Sequence, residues 1–424
     1  SAEEAAAIGL KLGDTVTVRV TVREKIPDKK QVVLADGSRI SYDRLVVSPG
    51  IALNYDSVPG WGKEHEVAMP HAWQPGEQTQ ILKKRLDAVP DGGVIVMIAP
   101  PNPYRCPPGP YERVSMMAHA LKRAGKTRSK VVVLDPKESF SKQGLFQEGW
   151  EKHYPGMVEW IGPKIHDGIK SVDPKTNTVV TGFETYANAA LVNVIPAQMA
   201  GAIARDAGLA NASGFCPIDP ASMKSASDPN IYVLGDATIA GDMPKSGFSA
   251  NSQAKVAALM VRGELANART FPARYSNTCW SLIQTDDTVK VGGRYEAKDG
   301  KITAVETFIS KTGESADLRK QTQEENMGWY AGIVADMFKK NPFTGDNPLA
   351  DFPNVDGVIP LVHGTGCGLA GEGLGFEMLE RTIWGYATNP NVSAVLIVGL
   401  GCEVFQIPRL MKDYGIEPGD RFQS

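Results

Sequence analysis

Apolar and polar residues alternate in the first part of the chain. Residues 15–22 (TVTVRVTV) place valine at every second position, which is typical of a strand with one face in water. The next stretch predicts a hairpin at Asp36-Gly37 and then a buried strand, residues 45–47, that ends in Ser48-Pro49-Gly50. We therefore expect this part of the chain to be rich in β-structure.

The pattern that follows is that of a βαβ unit. Residues 93–99 (GVIVMIA) and 130–134 predict apolar strands, and residues 112–124 predict the helix between them. In a nucleotide-binding unit the loop after the first strand is rich in glycine, because backbone N–H groups must reach a pyrophosphate. Here that loop is PPNPYRCPPGPYER, whose prolines lack N–H groups. The loop therefore indicates a Rossmann-like domain that has lost NAD binding and presents Cys106.

A third pattern lies further along the chain. Residues 231–236 (IYVLGD) predict a strand that ends in Gly235 and Asp236, and a loop containing glycine and serine then leads into an apolar helix. This order of elements resembles that of the flavoprotein disulfide reductases. The resemblance implies that the aspartate binds the ribityl chain of the flavin and that the helix start faces the flavin ring. A helix start offers unpaired N–H donors and a partial positive charge, which suits a reduced flavin anion.

Composition narrows the possible classes of protein. The 424 residues suffice for two to four domains, and 42% hydrophobic with 22% charged residues is an ordinary globular balance. The 45 basic and 48 acidic residues are mixed along the chain, so no basic stripe predicts binding to nucleic acid or to an anionic membrane. No apolar run reaches the ~18 residues of a membrane span. The start of the chain lacks a secretory signal, as expected of a mature, processed or truncated chain.

Nine ordered segments between about residues 26 and 340 resemble the flavoprotein subunit of flavocytochrome c sulfide dehydrogenase. They are YDRLVVSPGI, PHAWQPGEQT, APPNPYRCPPGPYER, ESFSKQ, FCPID, VLGDA, MPKSGFSANSQAKVAA, SNTCWSLI and GWYAGIVADMF. The resemblance implies an FAD enzyme that oxidises sulfide and passes the electrons to a c-type cytochrome subunit, the subunit that carries haem. It also implies a periplasmic location, where a disulfide is not exposed to a reducing pool.

The resemblance assigns the chemistry to two cysteines and a glutamate. It implies that Cys106 and Cys279 form a redox-active disulfide near the flavin, which hydrosulfide opens by thiol–disulfide exchange. A structural cross-link is the alternative interpretation of the pair. Glu112 is the candidate that handles the proton of hydrosulfide. A carboxylate at a helix start is also favoured by the helix dipole alone.

The residues predicted to bind FAD come from separate parts of the chain. They are Pro49, Gly50, Gly235, Asp236, Lys245, Ser246, Gly247, Asn251 and Trp329. Trp329 matches an aromatic residue near the flavin in the family, although a tryptophan in an apolar helix is usually a core residue. The family begins with a glycine-rich loop that grips the ADP half of FAD, followed by a cysteine that carries the flavin covalently. No glycine triplet precedes residue 50 and the first cysteine is Cys106, so we expect the FAD site to be incomplete at its ADP end.

Cys216, His71 and His119 are interpreted as structural residues. Cys216 has a counterpart in the family that is not one of the active pair, and a buried free thiol is the expected state. His71 and His119 have no second ligand at a metal-binding spacing, so no metal site is predicted.

Residues 349–424 resemble a fragment of the altronate and galactarate dehydratase family, through FPNVDGVIPLVHGTGCG, GEGLGFEMLERTIWGYATNPN and VGLGCE. This resemblance makes His363, Cys367, Cys402 and Glu403 candidates for metal or substrate contact. Two alternatives to sulfide oxidation follow. One is a sugar-acid dehydratase fragment that needs a divalent metal, and the other is a non-catalytic composite chain.

The predicted fold is α/β and resembles that of the flavoprotein disulfide reductases. It has two Rossmann-like domains, the first of them incomplete, a small C-terminal α+β domain and an appended α/β dehydratase-like segment. The predicted limits are 1–75 with 195–265 for the FAD-binding domain, 76–194 for the second Rossmann-like domain, 266–340 for an interface domain, 341–348 for a linker and 349–424 for the dehydratase-like segment.

Overall fold

The structure is a computed structural model that describes residues 18–19, 30–34, 36–338, 395–396, 407–415 and 422–423. The chain divides into two compact units, Ser1–Glu324 and Glu325–Ser424, which are described separately. The linker expected at 341–348 and most of the dehydratase-like segment lie outside the described residues. His363, Cys367, Cys402 and Glu403 lie outside them as well. The domain limits given above therefore stay a prediction.

The strands are numbered in chain order. They are β1 (Val18–Arg19), β2 (Gln31–Leu34), β3 (Arg39–Ser41), β4 (Leu45–Val47), β5 (Ile51–Leu53), β6 (Val94–Ile98), β7 (Lys130–Leu134), β8 (Val158–Ile161), β9 (Ile169–Asp173), β10 (Thr178–Thr181), β11 (Thr185–Tyr186), β12 (Leu191–Val194), β13 (Gln198–Ala200), β14 (Cys216–Pro217), β15 (Ile231–Val233), β16 (Thr238–Ile239), β17 (Arg274–Gln284), β18 (Asp287–Lys298), β19 (Lys301–Ile309), β20 (Val395–Leu396) and β21 (Phe422–Gln423).

The α-helices are numbered in the same way. They are α1 (Glu77–Ala88), α2 (Gly109–Arg123), α3 (Gln143–His153), α4 (Pro163–His166), α5 (Ala202–Asp206), α6 (Gly247–Ala266), α7 (Ala316–Phe338) and α8 (Ile407–Tyr414). Short 3-10 turns occur at Tyr55–Ser57, Lys63–His65 and Gly235–Ala237.

A parallel sheet with strand order β12-β6-β7-β8 forms the centre of the predicted βαβ unit. Alternate residues of β6 enter different cores: Ile95 and Met97 pack on one face of the sheet, and Val96 and Ile98 on the other. Burial on both faces explains why these strands read as continuous apolar runs. Helix α2 begins before the predicted residue 112, because proline is tolerated in the first turn of a helix.

The strands near the predicted flavin motifs form separate small sheets. Strands β2 and β3 pair antiparallel around Gly37, whose φ is +86°, and the predicted hairpin is therefore confirmed. Strand β4 pairs in parallel with β15, with Leu45 opposite Ile231 and Val47 opposite Val233. The carboxyl ends of these two strands therefore meet at one edge.

Strands β17, β18 and β19 form an antiparallel sheet. Ile283 of β17 and Val289 of β18 belong to the same core as the inward residues of α2 and α3. This sheet therefore packs against the Rossmann-like domain on its α2 and α3 side.

Helix α7 begins at Ala316, thirteen residues before Trp329. Arg319 in its first turns is buried and faces three carboxylates, those of Glu148 (3.0 Å), Glu314 (2.9 Å) and Asp287 (3.4 Å). These ion pairs fix the start of the helix to α3 and β18 within the first unit. In the second unit, β20 and β21 pair in parallel and α8 forms a short helix.

The α/β fold class is confirmed by this combination of a doubly covered parallel sheet with an antiparallel sheet and helices. None of the helices in the described residues has both the length and the apolar character needed to cross a membrane.

A substitution in α3 tests the packing of this helix on β17. A Cβ atom at Gly149 would lie 2.5 Å from Cγ2 and 2.7 Å from Cδ1 of Ile283, a fully buried side chain. Gly149→Ala should therefore lower the free energy of unfolding by about 1–3 kcal/mol through overpacking, as measured by urea denaturation.

Gly144→Ala provides the matched control on the same helix. Gly144 is exposed and a Cβ there would meet nothing within 4 Å. This variant should keep or raise stability by up to about 1 kcal/mol, because alanine favours the helix. Equal effects of the two substitutions would contradict close packing between α3 and β17.

Candidate active site

Cys106 lies in the proline-rich loop between β6 and α2, with a left-handed backbone at φ +87°. Its N–H donates to the carbonyl oxygen of Lys245 at 2.9 Å, and its own carbonyl accepts from Gly109 N–H at 2.7 Å. A Cβ at Gly109 would lie 2.9 Å from the Trp73 ring and 3.2 Å from Cys106 Sγ. Glycine therefore lets α2 start directly against the cysteine.

Cys279 lies on the buried face of β17. Residues two apart in a strand point the same way, and every second residue from Tyr275 to Ile283 is buried, including Asn277 and Ser281. Asn277 Nδ2 donates to Cys279 Sγ at 3.4 Å, and Asn277 Oδ1 accepts from Ser246 Oγ at 2.6 Å. The amide of Asn277 therefore connects Cys279 to the residue that caps α6.

Lys142 is a buried lysine beside the same strand. Its Nζ donates to the Cys279 carbonyl oxygen at 2.9 Å and to Ser281 Oγ at 2.8 Å. Burial lowers the pKa of Lys142 to about 8, while the charges of Cys279, Glu112 and Cys106 oppose that shift. The ammonium therefore lies close enough to both sulfurs and the carboxylate to interact with them electrostatically.

Glu112 lies in the first turn of α2, where its Oε1 accepts a hydrogen bond from the Leu282 N–H of β17 at 2.9 Å. Burial raises the pKa of this carboxyl above its usual range, against the opposing effects of the Leu282 bond, Lys142 and Arg113. Glu112 therefore keeps a proton to a higher pH than an exposed glutamate does. The structure thus places Glu112 against β17, the strand that carries Cys279, and its role in handling a proton stays a prediction.

Within the described residues Cys106, Cys216 and Cys279 are all thiols. The pKa of Cys106 is raised to about 12, first by burial and then by the negative charges of Cys279 and Glu112. The two cysteines therefore lie close enough to interact electrostatically, and the disulfide between them stays a prediction. Cys216 is also buried, and burial raises its pKa to about 11.

The predicted flavin residues Pro49, Gly50, Gly235 and Asp236 converge at the carboxyl ends of β4 and β15. Gly50 and Gly235 both have positive φ, at +64° and +72°. A Cβ at Gly235 would lie 3.5 Å from Ser48 Oγ, so the two strand ends are close neighbours. Ligands of α/β folds bind beyond the carboxyl ends of such strands.

Lys245, Ser246, Gly247 and Asn251 form the entry to helix α6. Ser246 is its N-cap and accepts from Ser249 N–H at 3.1 Å. Lys245 Nζ donates to the carbonyl oxygens of Asp236 (2.9 Å) and Thr238 (2.5 Å), and burial lowers the pKa of Lys245 to about 8. Gly247 and Asn251 lie in the first two turns of the helix. The start of α6 therefore faces the Cys106 loop, which bonds to the Lys245 carbonyl.

Three buried polar atoms near this junction have no hydrogen-bond partner in the described part of the chain: Asp236 Oδ1, Gln198 Nε2 and Trp73 Nε1. Arg105 connects them, because its N–H donates to Gln198 Oε1 (2.9 Å), its guanidinium bonds to the Trp73 carbonyl and its charge acts on Asp236. Buried polar atoms normally have hydrogen-bond partners. One acceptor and two donors without such partners are therefore suited to hydrogen-bond a polar ligand such as a flavin.

Trp329, the other residue predicted to contact the flavin, lies on α7 within the second compact unit, and its role stays a prediction.

His71 is fully buried, and its Nδ1 accepts from Trp73 N–H at 2.9 Å. No group of three or more potential metal ligands is found in the residues that the structure describes.

The sequence interpretation missed Lys142, Asn277, Ser281 and Gln198. The first lies in ESFSKQ and the next two in SNTCWSLI, segments that supported the family resemblance without any role for these side chains. A signal was present in the second segment, because two polar residues flank Cys279 at strand spacing. If the strand buries the face that carries Cys279, the side chains of Asn277 and Ser281 are buried too and need hydrogen-bond partners.

Asp135 closes the carboxyl end of β7, where a dinucleotide-binding domain uses an acidic residue to bind ribose. Its carboxylate is fully buried and accepts from Tyr111 Oη (2.5 Å), Trp160 Nε1 (2.9 Å) and Lys137 N–H (3.0 Å). This engaged carboxylate supports the interpretation that the domain has lost NAD binding.

Three protein families match parts of this chain. Residues 79–196 match the family described as sulfide dehydrogenase (flavocytochrome c) flavoprotein chain, central. Residues 271–338 match flavocytochrome c sulphide dehydrogenase, flavin-binding, and residues 323–424 match D-galactarate dehydratase/altronate hydrolase, second domain. Both predicted resemblances are confirmed, and the dehydratase match begins earlier than the predicted residue 349.

A curated relative and a solved structure are similar to this chain. Sulfide:quinone oxidoreductase, mitochondrial, from Dictyostelium discoideum is 24% identical over 244 residues, which are 54% of this chain and 51% of the relative. The chain thus spans about half the length of that relative. A chain in the Tetrahymena thermophila mitochondrial ATP synthase structure is similar with a TM-score of 0.54 and 17% identity, over 76% of this chain and 78% of that chain. That likeness shows a shared fold alone.

The raised pKa of Glu112 predicts a pH dependence of stability. The folded protein binds this proton more tightly than the unfolded chain does, so its contribution is full below the usual value of 4.5 and is lost as pH rises through the raised pKa. Glu112→Gln keeps an oxygen that accepts from the Leu282 N–H but has no proton to lose. It should therefore abolish the loss of stability with rising pH, which amounts to about 1.4 kcal/mol for each unit by which the pKa of Glu112 is raised. Urea unfolding of both proteins as a function of pH measures the difference.

The variant should therefore gain stability relative to the wild type as pH rises above 4.5. Other titrating groups are common to both proteins and cancel. A difference that stays constant over the whole pH range would contradict a raised pKa for Glu112.

The unpaired oxygen of Asp236 predicts a contribution to flavin binding. Asp236→Ala should weaken FAD binding about tenfold to a hundredfold, because a hydrogen bond to a charged group contributes about 1.5–3 kcal/mol. Titration of the apoprotein with FAD, followed by flavin fluorescence, measures the dissociation constant.

Asp242→Ala is the matched control. Asp242 is exposed and bonds to Lys301 Nζ at 3.0 Å and to Ala304 N–H at 3.2 Å. This variant should bind FAD like the wild type. Equal binding by all three proteins would exclude the assigned role of Asp236.

Proposed function

We propose that this chain is the flavoprotein subunit of a sulfide:cytochrome c oxidoreductase, which oxidises sulfide through Cys106 and Cys279 and passes the electrons to FAD. One observation carries the proposal. Cysteines from distant parts of the chain come close enough to interact electrostatically with each other and with Glu112, and the Cys106 loop bonds to the residue before the N-cap of α6.

The matched families support this chemistry. The matches over residues 79–196 and 271–338 are both to a flavoprotein that acts on sulfide, and the second is described as flavin-binding. The name of the Dictyostelium discoideum relative gives a quinone as the electron acceptor. Our choice of a c-type cytochrome, which carries the haem, rests on the name flavocytochrome c.

The first step is thiol–disulfide exchange. Hydrosulfide attacks one sulfur of the oxidised Cys106–Cys279 pair, so that the S–S bond breaks and a new S–S bond leaves a persulfide on one cysteine and a thiolate on the other. Glu112, with its raised pKa, is suited to receive the proton that hydrosulfide brought.

The second step releases the product and restores the pair. Another hydrosulfide attacks the outer sulfur of the persulfide, which breaks that S–S bond and yields the anion HS₂⁻ and a second thiolate. The two thiolates then give up two electrons and form the disulfide again. Two hydrosulfide ions thus become one HS₂⁻, one proton and two electrons.

FAD, when bound, supplies the chemistry that accepts those two electrons. Asp236 Oδ1, Gln198 Nε2 and Trp73 Nε1 are the unpaired groups that would hold it, and the start of α6 would stabilise negative charge on a reduced flavin. Lys245, bonded to the Asp236 carbonyl oxygen, keeps this loop in place.

We place this reaction in the periplasm. A redox pair that must be reoxidised after each turnover works best outside the reducing pool of the cytoplasm. The test is cell fractionation followed by detection of the full chain, and recovery of the chain in the cytoplasm would contradict this location.

A second candidate function is supported by the dehydratase match over residues 323–424. In that case His363 and Cys367 would contact a divalent metal or a sugar acid. This alternative predicts a colourless protein with metal-dependent release of a dehydrated sugar acid, whereas our proposal predicts bound oxidised flavin that bleaches when sulfide is added.

Substitution of either cysteine tests the proposed reaction. Cys106→Ser and Cys279→Ser should each abolish bleaching of the flavin absorbance by sulfide while FAD stays bound. The double variant should be no worse than either single variant, because the two sulfurs act as one unit. Stopped-flow absorbance measures the rate.

Cys216→Ala is the matched control, because Cys216 is a buried thiol that takes no part in the proposed chemistry. Its bleaching rate should equal that of the wild type. If a variant that lacks Cys106 still bleaches at the wild-type rate, the proposed function fails.

A further inference from the structure

Lys142 is a buried cation held by neutral groups. An ammonium has three donors, and the structure fills two of them with the Cys279 carbonyl oxygen and Ser281 Oγ. No carboxylate lies within salt-bridge distance of its Nζ in the part of the chain that the structure describes. Lys137, another lysine of this domain with little exposure, pairs with Asp135 at 2.7 Å. A buried charge without a paired anion is costly, so its presence here requires a reason.

Backbone strain occurs at the same pocket. Lys142 has φ +63° and Cys106 has φ +87°, and neither residue is a glycine. A left-handed conformation costs such residues about 1–2 kcal/mol each and persists where the surrounding structure enforces it. The carbonyl oxygen of Lys142 also accepts the N–H groups of Leu145 and Phe146, both at 3.0 Å, as α3 begins. The helix start therefore holds the lysine in its strained position.

The charged groups that act on Lys142 come from three different elements. They are Cys279 on β17, Glu112 on α2 and Cys106 in the proline-rich loop. In a disulfide the two sulfurs carry no charge, whereas exchange with hydrosulfide creates a thiolate. The ammonium therefore gains an anionic sulfur as its counter-charge only after the pair has been opened.

We propose that Lys142 is a positioning residue that holds the Cys279 strand and supplies the positive charge that stabilises the thiolate of the opened cysteine pair. The proposal rests on the proposed function in taking this pair as redox-active. By favouring the dithiol state, the charge makes the disulfide a stronger oxidant of sulfide.

The test compares Lys142→Met, which removes the charge, with Lys142→Arg, which keeps it, in the full-length chain. After reduction, the alkylation rates of Cys106 and Cys279 by iodoacetamide are followed as a function of pH by mass spectrometry. Lys142→Met should slow alkylation about tenfold at a given pH below about 8, where Lys142 of the wild type carries its charge, because less thiolate is then present. Lys142→Arg should restore most of that rate.

A second measurement is equilibration of the cysteine pair with dithiothreitol redox buffers. Lys142→Met should shift the equilibrium about tenfold toward the disulfide, because the dithiol state has lost its stabilising charge. Ser281→Ala removes one contact of the ammonium and keeps its charge, so it should change both readouts much less. It also isolates the charge effect from a loss of packing.

Unchanged alkylation and redox equilibrium in Lys142→Met would overturn the proposal. Equal defects in Lys142→Met and Lys142→Arg would overturn it as well, because a purely structural role is indifferent to charge. If Lys142→Met does not fold, Lys142→Gln takes its place with the same expectations. Neither the alkylation rate nor the dithiothreitol equilibrium needs flavin or sulfide. These two readouts therefore decide the role of Lys142 even if sulfide fails to bleach the flavin of the wild-type chain, a result that would contradict the proposed function alone.

Discussion

The register of strand β17 is the constraint on which the candidate site depends. Every second side chain from Tyr275 to Ile283 is buried, and a slip of one residue would exchange all of them for the outward set. Ile283 fixes this register by packing against the Gly149 backbone of α3, where no side chain intervenes. Apolar packing at one end of the strand thus decides which way Cys279 points, and it holds Cys279 close enough to Cys106 for their charges to interact.

The polar groups on this buried face connect the sulfur chemistry to the flavin motifs. Asn277 bonds to Cys279 Sγ through Nδ2 and accepts the hydroxyl of Ser246, the N-cap of α6, through Oδ1. Ser281, the next polar residue on this face of β17, accepts a hydrogen bond from the ammonium of Lys142. Bonds in such a low-dielectric network support one another, and each becomes costly if its partner is lost. The thiol and the helix start are therefore held in one arrangement.

Local patterns were sufficient to predict the strands at 45–47 and 130–134 and the hairpin at Asp36-Gly37, since those signals lie within a few residues. The family segments further predicted that Cys106, Cys279 and Glu112 act together. The sequence could not predict Lys142, because no periodicity marks a lysine for burial and its acceptors lie on a distant strand. Nor could it predict how helix α7 is fixed at its start, because the carboxylates of Glu148 and Asp287 reach Arg319 only through tertiary packing.

Asp135 of the Rossmann-like domain lies where a nucleotide-binding domain has the acidic residue that binds ribose. Here it helps to hold the proline-rich loop that carries Cys106. Asp135 accepts the hydroxyl of Tyr111, and Tyr111 stacks on Phe140 with ring centroids 3.6 Å apart. Tyr111 lies in the first turn of α2, shortly after Cys106, so its bond ties the end of the proline-rich loop to the sheet. The engaged carboxylate of Asp135 thus supports the predicted loss of NAD binding and helps to hold the loop that carries Cys106.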